Sequence, residues 1–222
     1  MAQKLFILGL PGSGKSTIAC HIVNYSQRNY QDWSAIRLCD YDILYKMFEQ
    51  DKERNDQEEK HFHPIAHDGF YVKASFIYDE ALKQLETAIE NCKYPDNVLV
   101  IIEFARSDYV RALGNFSDRF LQDAYFLFLN VDIETGMKRV RDRVKHPRSR
   151  DDHFVSEYTF EAYRQKDTAK YLSGVAKHII RKYAIKPWRM KIQDNHKGPK
   201  KEFWDSIYEF AVKIMKQTLV LV

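Results

Sequence analysis

Cysteine is scarce in this sequence, and the patterns that mark several protein classes are missing. Only Cys20, Cys39 and Cys92 occur among 222 residues, and none of them form a C-x-x-C pair. We therefore expect reduced structural thiols in a cytoplasmic protein rather than a disulfide framework. No apolar run reaches the ~18 residues that a membrane span needs, and no basic and apolar leader opens the chain. We expect neither a membrane anchor nor a signal peptide.

Charge of either sign is too evenly balanced to indicate a partner by itself. Lys and Arg number 35 against 31 Asp and Glu, which gives a formal charge of +4. This mild excess suits a protein that holds anionic phosphates, but it does not argue for nucleic acid. The sequence also lacks the Asn-Lys-x-Asp motif of guanine-specific GTPases and any internal repeat. With 45% hydrophobic residues, the chain can build one sizeable core.

Short apolar runs alternate with helical patterns along the chain. The composition of buried strands is found at residues 4–8, 34–39, 98–102, 124–131 and 188–192. Amphipathic spacing predicts helices over 15–29, 41–49, 69–91, 108–119, 135–145, 154–182 and 201–217. This alternation predicts a single α/β domain over residues 1–222, built on a five-stranded parallel sheet in the order 2-3-1-4-5 with helices on both faces.

The turn after the first predicted strand carries a phosphate-binding motif. Residues 9–16 match the P-loop pattern G-x-x-x-x-G-K-[ST] at each fixed position. Glycines let backbone amides approach a phosphate chain closely, and the start of the next helix adds free N–H groups. We expect Lys15 to reach the β- and γ-phosphates and Ser16 to be a ligand of Mg²⁺. The nucleotide-binding residues predicted here are Gly9, Gly12, Ser13, Gly14, Lys15, Ser16 and Thr17.

Acidic residues follow two of the predicted strands. Ligands of parallel α/β sheets lie beyond the carboxyl ends of the strands. Glu103 follows the run 98–102, and Asp40 and Asp42 follow the run 34–39. Each of these carboxylates can activate an acceptor hydroxyl or help to hold Mg²⁺, and the sequence does not choose among them. Arg106 is placed to bind a phosphate or carboxylate of the acceptor.

Arginines crowd the second half of the chain. Arg139 and Arg143 are four residues apart and share a helical face, where like charges repel unless a polyanion lies nearby. Residues 146–153 then form a polar stretch that contains Arg150. We expect this stretch to be a lid, with Arg143 and Arg150 offsetting the charge that develops during phosphoryl transfer. The alternative is a solvated basic face.

A histidine-rich stretch around Pro64 contains His61, His63 and His67. Metal-binding histidines need fixed geometry, and a loop broken by proline does not supply it. We therefore favour a polar loop over a metal site.

Several segments resemble the nucleoside- and nucleotide-kinase-like branch of P-loop proteins, that is, the adenylate-kinase-like small-molecule kinases. The likeness is carried by the P-loop, by Glu103-Phe104-Ala105-Arg106, by the strand and helix that lead into Arg139 and Arg143, and by residues 148–152 and 191–196. The resemblance implies transfer of the γ-phosphoryl group of ATP to a small acceptor. It also implies that Arg139 contacts the base or the phosphates, and that Arg106 lies on the acceptor side.

The likeness is incomplete on the acceptor side. The family's Asp-Gly-Phe-Pro-Arg segment is one residue shorter here and begins with Glu103, and Tyr158 and Thr159 stand where the family has an arginine. Residues 50–92, which we expect to form a helical insert beside the acceptor, match no known acceptor-binding segment. A nucleoside, a nucleotide, a sugar-like metabolite and an RNA end all stay open as acceptors.

Taken together, these patterns predict a kinase that depends on ATP and Mg²⁺ and acts on a small molecule as a monomer or homodimer. Nucleic acid is the less favoured partner. The alternatives are a P-loop ATPase or nucleotide switch without a small acceptor, and a toxin-like or RNA-end kinase. Asp42 and Arg106 are the predicted acceptor-binding residues, and the predicted catalytic residues are Lys15, Glu103, Asp40, Asp42, Arg143 and Arg150.

Overall fold

A computed structural model gives the fold of the chain. It describes residues 2–55, 59–65, 69–147, 152, 155, 160–162, 168–198 and 200–217. The predictions made for Arg150, for most of the lid at 146–153, for Tyr158 and Thr159, and for His67 lie outside the described residues.

Five parallel strands form the central sheet. They are β1 (Gln3–Leu8), β2 (Ser34–Cys39), β5 (Val98–Phe104), β6 (Tyr125–Asn130) and β7 (Met190–Asp194), and they lie in the order β2-β5-β1-β6-β7. Counted along the chain, these five strands have the order 2-3-1-4-5, so the predicted topology is confirmed. Two further strands, β3 (Phe62–Ile65) and β4 (Gly69–Val72), pair in an antiparallel hairpin apart from this sheet.

Helices cover both faces of the sheet. Their bounds are α1 (Lys15–Asn29), α2 (Asp40–Lys52), α3 (Phe76–Cys92), α4 (Tyr109–Leu113), α5 (Asp118–Gln122), α6 (Ile133–Lys145), α7 (Thr168–Lys182) and α8 (Lys201–Gln217), with a 3₁₀ turn at Pro187–Arg189. Among the described residues, no helix is long and apolar enough to cross a bilayer.

Alternating side chains of β1 divide the core between the two faces of the sheet. Phe6 and Leu8 lie in a cluster with residues of α3, α4, α5 and α7. Leu5 and Ile7 lie in the opposite cluster, which contains residues of α1 and α8. Every residue of β5 and β6 is buried, which is the pattern of parallel strands covered on both sides. The loop after β1 therefore lies at the carboxyl edge of the sheet, between two buried strands.

The region between α2 and α3 differs from the predicted helical insert. Helix is correct for α3, but residues 62–65 and 69–72 form the hairpin β3–β4. The Asp51 carboxylate accepts hydrogen bonds from the N–H groups of His61 (3.1 Å) and Phe62 (3.0 Å), which ties the hairpin to the end of α2. Phe62 packs with Phe48 in a small aromatic cluster that is separate from the main core.

Several other element boundaries differ from the prediction, most of them by one to three residues. The helix expected over 108–119 is divided into α4 and α5, because the Asp108 and Ser117 side chains each accept from a backbone N–H and begin a new helix. Glu103 was expected just after its strand, but β5 continues through it to Phe104. Of the helix predicted over 154–182, the described helical residues are 160–162 and 168–182.

Candidate functional site

The loop that links β1 to α1 has a conformation that needs glycine. Gly12 lies at φ +78° and Gly14 at φ +95°, in the left-handed region that side chains rarely occupy. A Cβ atom on Gly12 would lie 2.2 Å from the carbonyl oxygen of Gly136 in α6, and one on Gly14 would lie 2.8 Å from Nδ2 of Asn195. The loop thus packs tightly against its neighbours, and α1 begins directly after it at Lys15. This is the backbone geometry that the P-loop motif predicts.

A buried tyrosine holds the base of the P-loop. The Gly9 N–H donates to the hydroxyl of Tyr109 over 2.7 Å, and the same hydroxyl donates to the Gly9 carbonyl over 2.8 Å. The Tyr109 N–H in turn donates to the hydroxyl of Tyr171 in α7 (2.8 Å). Burial raises the pKa of Tyr109, so the hydroxyl stays protonated and keeps its donor role.

The opposite side of the P-loop is held by Asn195 and Arg139. Asn195 follows β7, and its side-chain amide donates to the Ser13 carbonyl over 2.9 Å. The Arg139 guanidinium donates to the Asn195 carbonyl (2.7 Å) and lies 3.4 Å from the Gly12 carbonyl. Arg139 therefore lies beside the P-loop, and its predicted contact with a nucleotide stays a prediction.

Lys15 folds back onto its own loop. Its Nζ donates to the carbonyls of Gly9 (2.9 Å) and Leu10 (3.1 Å). Burial lowers the pKa of Lys15 to about 8, and the nearby Glu103 charge opposes that shift. The ammonium group is thus held close to the loop by two carbonyls and can exchange them for phosphate oxygens.

Each of two buried carboxylates near the carboxyl edge of the sheet is paired with an arginine. Glu103 is 1% exposed and forms an ion pair with Arg37 of β2, the strand next to β5. Asp40, the first residue of α2, is 4% exposed and lies 2.5 Å from Nη2 of Arg106. A buried charge needs such compensation, and each of these carboxylates has an arginine partner beside the P-loop.

Most of the predicted catalytic residues line one cleft. Lys15 and Ser16 lie on its P-loop side, and its wall also includes Asp40, Glu103, Arg106 and Arg143. The cavity volume of this cleft is about 180 Å³. Gly12 also lines the cleft, whereas Gly9 and Ser13 are buried beneath it.

Other predicted residues lie away from the cleft. Asp42 and Thr17 are exposed, in the first turns of α2 and α1, and neither is part of the cleft wall. In the described part of the chain, no group of three His, Cys, Asp or Glu side chains is placed to hold a metal ion. His61 and His63 lie at the start of the hairpin and not in the cleft.

Sequence reasoning missed two parts of the site. Tyr109 was treated only as part of a predicted helix, although its hydroxyl contacts a glycine 100 residues away. Part of the cleft wall is aromatic, and its rings come from the first turn of α2, from the hairpin strand β4 and from the first turn of α3. They are Tyr41, Phe70, Tyr71 and Tyr78. The aromatic and β-branched run Phe70-Tyr71-Val72 is a local signal for a strand of the hairpin.

Comparison with known proteins identifies the fold and nothing finer. No protein-family model matches the chain, and no curated protein sequence matches it. Among solved structures, Chaetomium thermophilum Kti12 in complex with ADP-AlF3 is 10% identical, covers 96% of this chain and 98% of its own, and has a TM-score of 0.56. APE1195 is 13% identical, with 96% and 97% covered and a TM-score of 0.52.

Shikimate kinase from Acinetobacter baumannii in complex with shikimate is 12% identical, covers 99% of this chain and 94% of its own, and has a TM-score of 0.48. The chain shares with Kti12 and APE1195 the P-loop nucleotide-kinase-like fold, so the resemblance noted in the sequence is confirmed for the fold. Identities this low carry no information about the acceptor.

Proposed function

We propose that this chain is an ATP-dependent phosphotransferase that acts on a small acceptor. The main observation that supports the proposal is that Lys15 and Ser16 of the P-loop line the same cleft as Asp40, Glu103 and Arg106. Phosphoryl transfer needs a phosphate clamp and a group that orients the acceptor hydroxyl on opposite sides of one site.

The residues of the loop fit a triphosphate and Mg²⁺. Gly12 and Gly14 carry no Cβ atom and adopt left-handed conformations of the kind that let backbone N–H groups approach a phosphate, and α1 adds its N-terminus. Ser16 supplies a hydroxyl oxygen, and Glu103 and Asp40 are hard oxygen donors near it, which is the ligand chemistry that Mg²⁺ prefers. When bound, the ion would neutralise phosphate charge. Kti12 shares the fold and was solved with ADP-AlF3, which supports a nucleotide in this position.

Each residue of the cleft then has a defined task. Lys15 exchanges the Gly9 and Leu10 carbonyls for phosphate oxygens. The Glu103 charge acts on Lys15 more strongly than the Asp40 charge does, and Glu103 is paired with Arg37, so we assign it to the phosphate side. Asp40 begins α2 at the aromatic end, and we assign it as the group that accepts the proton of the acceptor hydroxyl.

Two arginines complete the proposed mechanism. Arg106 compensates the Asp40 carboxylate and orients it across the cleft. Arg143 faces the cleft from α6 and offsets charge on the transferred group. A role for Arg150 in closure rests on the sequence alone.

The test is a screen for ADP release that depends on an added acceptor. Purified protein with ATP and Mg²⁺ is assayed against nucleosides, nucleotides, sugars and a 5′-hydroxyl RNA oligonucleotide. We expect a small molecule to stimulate ADP release, and Lys15→Ala to abolish that stimulation while the protein keeps its fold by circular dichroism. Hydrolysis that no compound stimulates would indicate an ATPase or switch. Stimulation by RNA alone would indicate an RNA-end kinase.

A further inference from the structure

The end of the cleft away from the P-loop is built from aromatic rings. Tyr41, Phe70, Tyr71 and Tyr78 line it, and all four come from the segment between β2 and β5. Leu44 and Ile65 add apolar surface to the same wall. This part of the wall thus offers flat π-faces together with the phenolic hydroxyls of three tyrosines, and Asp40 and Arg106 line the same cleft.

Two of these rings, Phe70 and Tyr41, are packed in fixed positions. Phe70 stacks on Tyr41 with 5.5 Å between ring centroids and 9° between planes, and it also contacts Phe48 and Phe62. The hairpin that carries Phe70 is tied to α2 through Asp51. The wall is therefore formed before any ligand arrives, which lowers the entropy lost on binding.

One ring of this wall is open to solvent. Tyr71 is 43% exposed, although it is a large side chain on the cleft. The Tyr78 ring already has the Arg106 guanidinium over its face at 4.6 Å, which places the Asp40–Arg106 pair directly beside the aromatic wall. Tyr71 lines the same cleft as Asp40, so a ligand that covers its ring shares the cleft with this carboxylate.

We propose that the acceptor is a hydroxyl-bearing molecule with a planar aromatic ring, and that Tyr71 helps to select it by ring contact. The inference rests on the proposed function and names the substrate class of the same site. A polyhydroxylated aliphatic acceptor needs a polar partner for each hydroxyl group that it buries. Beside Asp40 and Arg106, this wall offers three phenolic hydroxyls, and most of its surface is ring and aliphatic carbon. An aromatic ring instead gains stacking contact of the kind that binds nucleobases to exposed aromatic side chains.

Matched pairs of acceptors test the ring requirement. Adenosine and cytidine are compared with ribose, which presents a similar set of hydroxyl groups without a base. Likewise, 2-phenylethanol is compared with 2-cyclohexylethanol, which has the same hydroxyl arm and a ring that is not planar. ADP release with ATP and Mg²⁺ is measured for each compound, and binding to protein loaded with a non-hydrolysable ATP analogue is measured by calorimetry.

The inference predicts that the aromatic member of at least one pair binds and is phosphorylated about tenfold or more better than its partner. Activity with nucleosides but not with 2-phenylethanol would identify the ring as a nucleobase, and the reverse would identify a non-nucleoside alcohol. Transfer in which the compound without an aromatic ring is as good as or better than its partner in both pairs would overturn the inference and leave the phosphotransferase standing. Bound ATP without transfer to any compound would instead contradict the phosphotransferase.

Variants of Tyr71 test the assigned residue. Tyr71→Leu keeps apolar volume and removes the ring, and we expect the KM of the aromatic acceptor to rise ~10-fold, whereas Tyr71→Phe restores it. Phe76→Leu is the matched control, because Phe76 is a 54% exposed aromatic residue in the same region but does not line the cleft. The same KM for Tyr71→Leu and Phe76→Leu would remove Tyr71 from acceptor selection.

Discussion

Replacement of Tyr109 by phenylalanine removes one oxygen atom and tests how the P-loop is held. The hydroxyl accepts from the Gly9 N–H (2.7 Å) and donates to the Gly9 carbonyl (2.8 Å), inside a fully buried site. Loss of this partner leaves a buried backbone N–H unsatisfied, which costs about 1–3 kcal/mol of stability. We therefore expect Tyr109→Phe to lower the free energy of unfolding by that amount in urea titrations.

The same change is expected to weaken ATP binding. The Gly9 carbonyl accepts from both the Tyr109 hydroxyl and Lys15 Nζ, so without the hydroxyl this carbonyl competes more strongly for the lysine. A net hydrogen bond is worth about 0.5–1.5 kcal/mol, which corresponds to a roughly 2- to 13-fold weaker ATP affinity. Calorimetric titration with a non-hydrolysable ATP analogue measures this directly.

Tyr171→Phe is the matched control for Tyr109→Phe. It removes the hydroxyl that accepts from the Tyr109 N–H at 2.8 Å, but that hydroxyl does not contact Gly9. We expect a loss of stability with unchanged ATP affinity. If both variants lose stability and neither changes ATP affinity, Tyr109 has a structural role only, and the link from Gly9 to Lys15 is refuted.

Three other predictions concern the cleft and the loop. Asp40→Asn is expected to lower kcat ~10²–10⁴-fold with little change in ATP affinity. Glu103→Gln is expected to weaken ATP binding. Weaker ATP binding in Asp40→Asn and a lower kcat in Glu103→Gln would exchange the roles of the two residues. Because burial lowers the pKa of Lys15 to about 8, ATP affinity should be highest below that pH and fall by up to tenfold per unit above it as the ammonium loses its proton. A flat affinity profile between about pH 7 and 9 would contradict this prediction. Gly12→Ala places a Cβ 2.2 Å from a backbone oxygen of α6 and should abolish ATP binding. Gly174→Ala is the control and should be tolerated, because no neighbouring atom lies within 4 Å of the added Cβ. Equal ATP affinity in the two variants would contradict this prediction.

The sheet and the P-loop could be predicted from the sequence because their signals are local. The apolar runs of β1, β5 and β6 predict strands that are buried on both faces of the sheet. The alternating order of strands and helices limits the number of possible sheet topologies. The glycines at positions 12 and 14 indicate two left-handed backbone conformations close together in one loop, and the structure has both. Such patterns do not depend on where the rest of the chain lies.

The pairing of charges could not be predicted, because it depends on contacts between distant segments. Arg37 and Glu103 are 66 residues apart and meet because β2 pairs with β5. Asp40 and Asp42 look equivalent along the sequence, yet the helical turn of α2 buries the first beside Arg106 and exposes the second. The hairpin β3–β4 was missed because its strands are only four residues each and are followed closely by a strong helical pattern.

The most direct test of the account follows the phosphoryl group itself. Wild-type protein and Lys15→Ala are incubated with Mg²⁺, the matched acceptor panel and ATP radiolabelled at the γ-phosphate, and the products are separated by chromatography. We predict a labelled organic phosphate with wild-type protein and none with Lys15→Ala. Label found only in unreacted ATP and inorganic phosphate, although ATP binds, would contradict the proposed transfer.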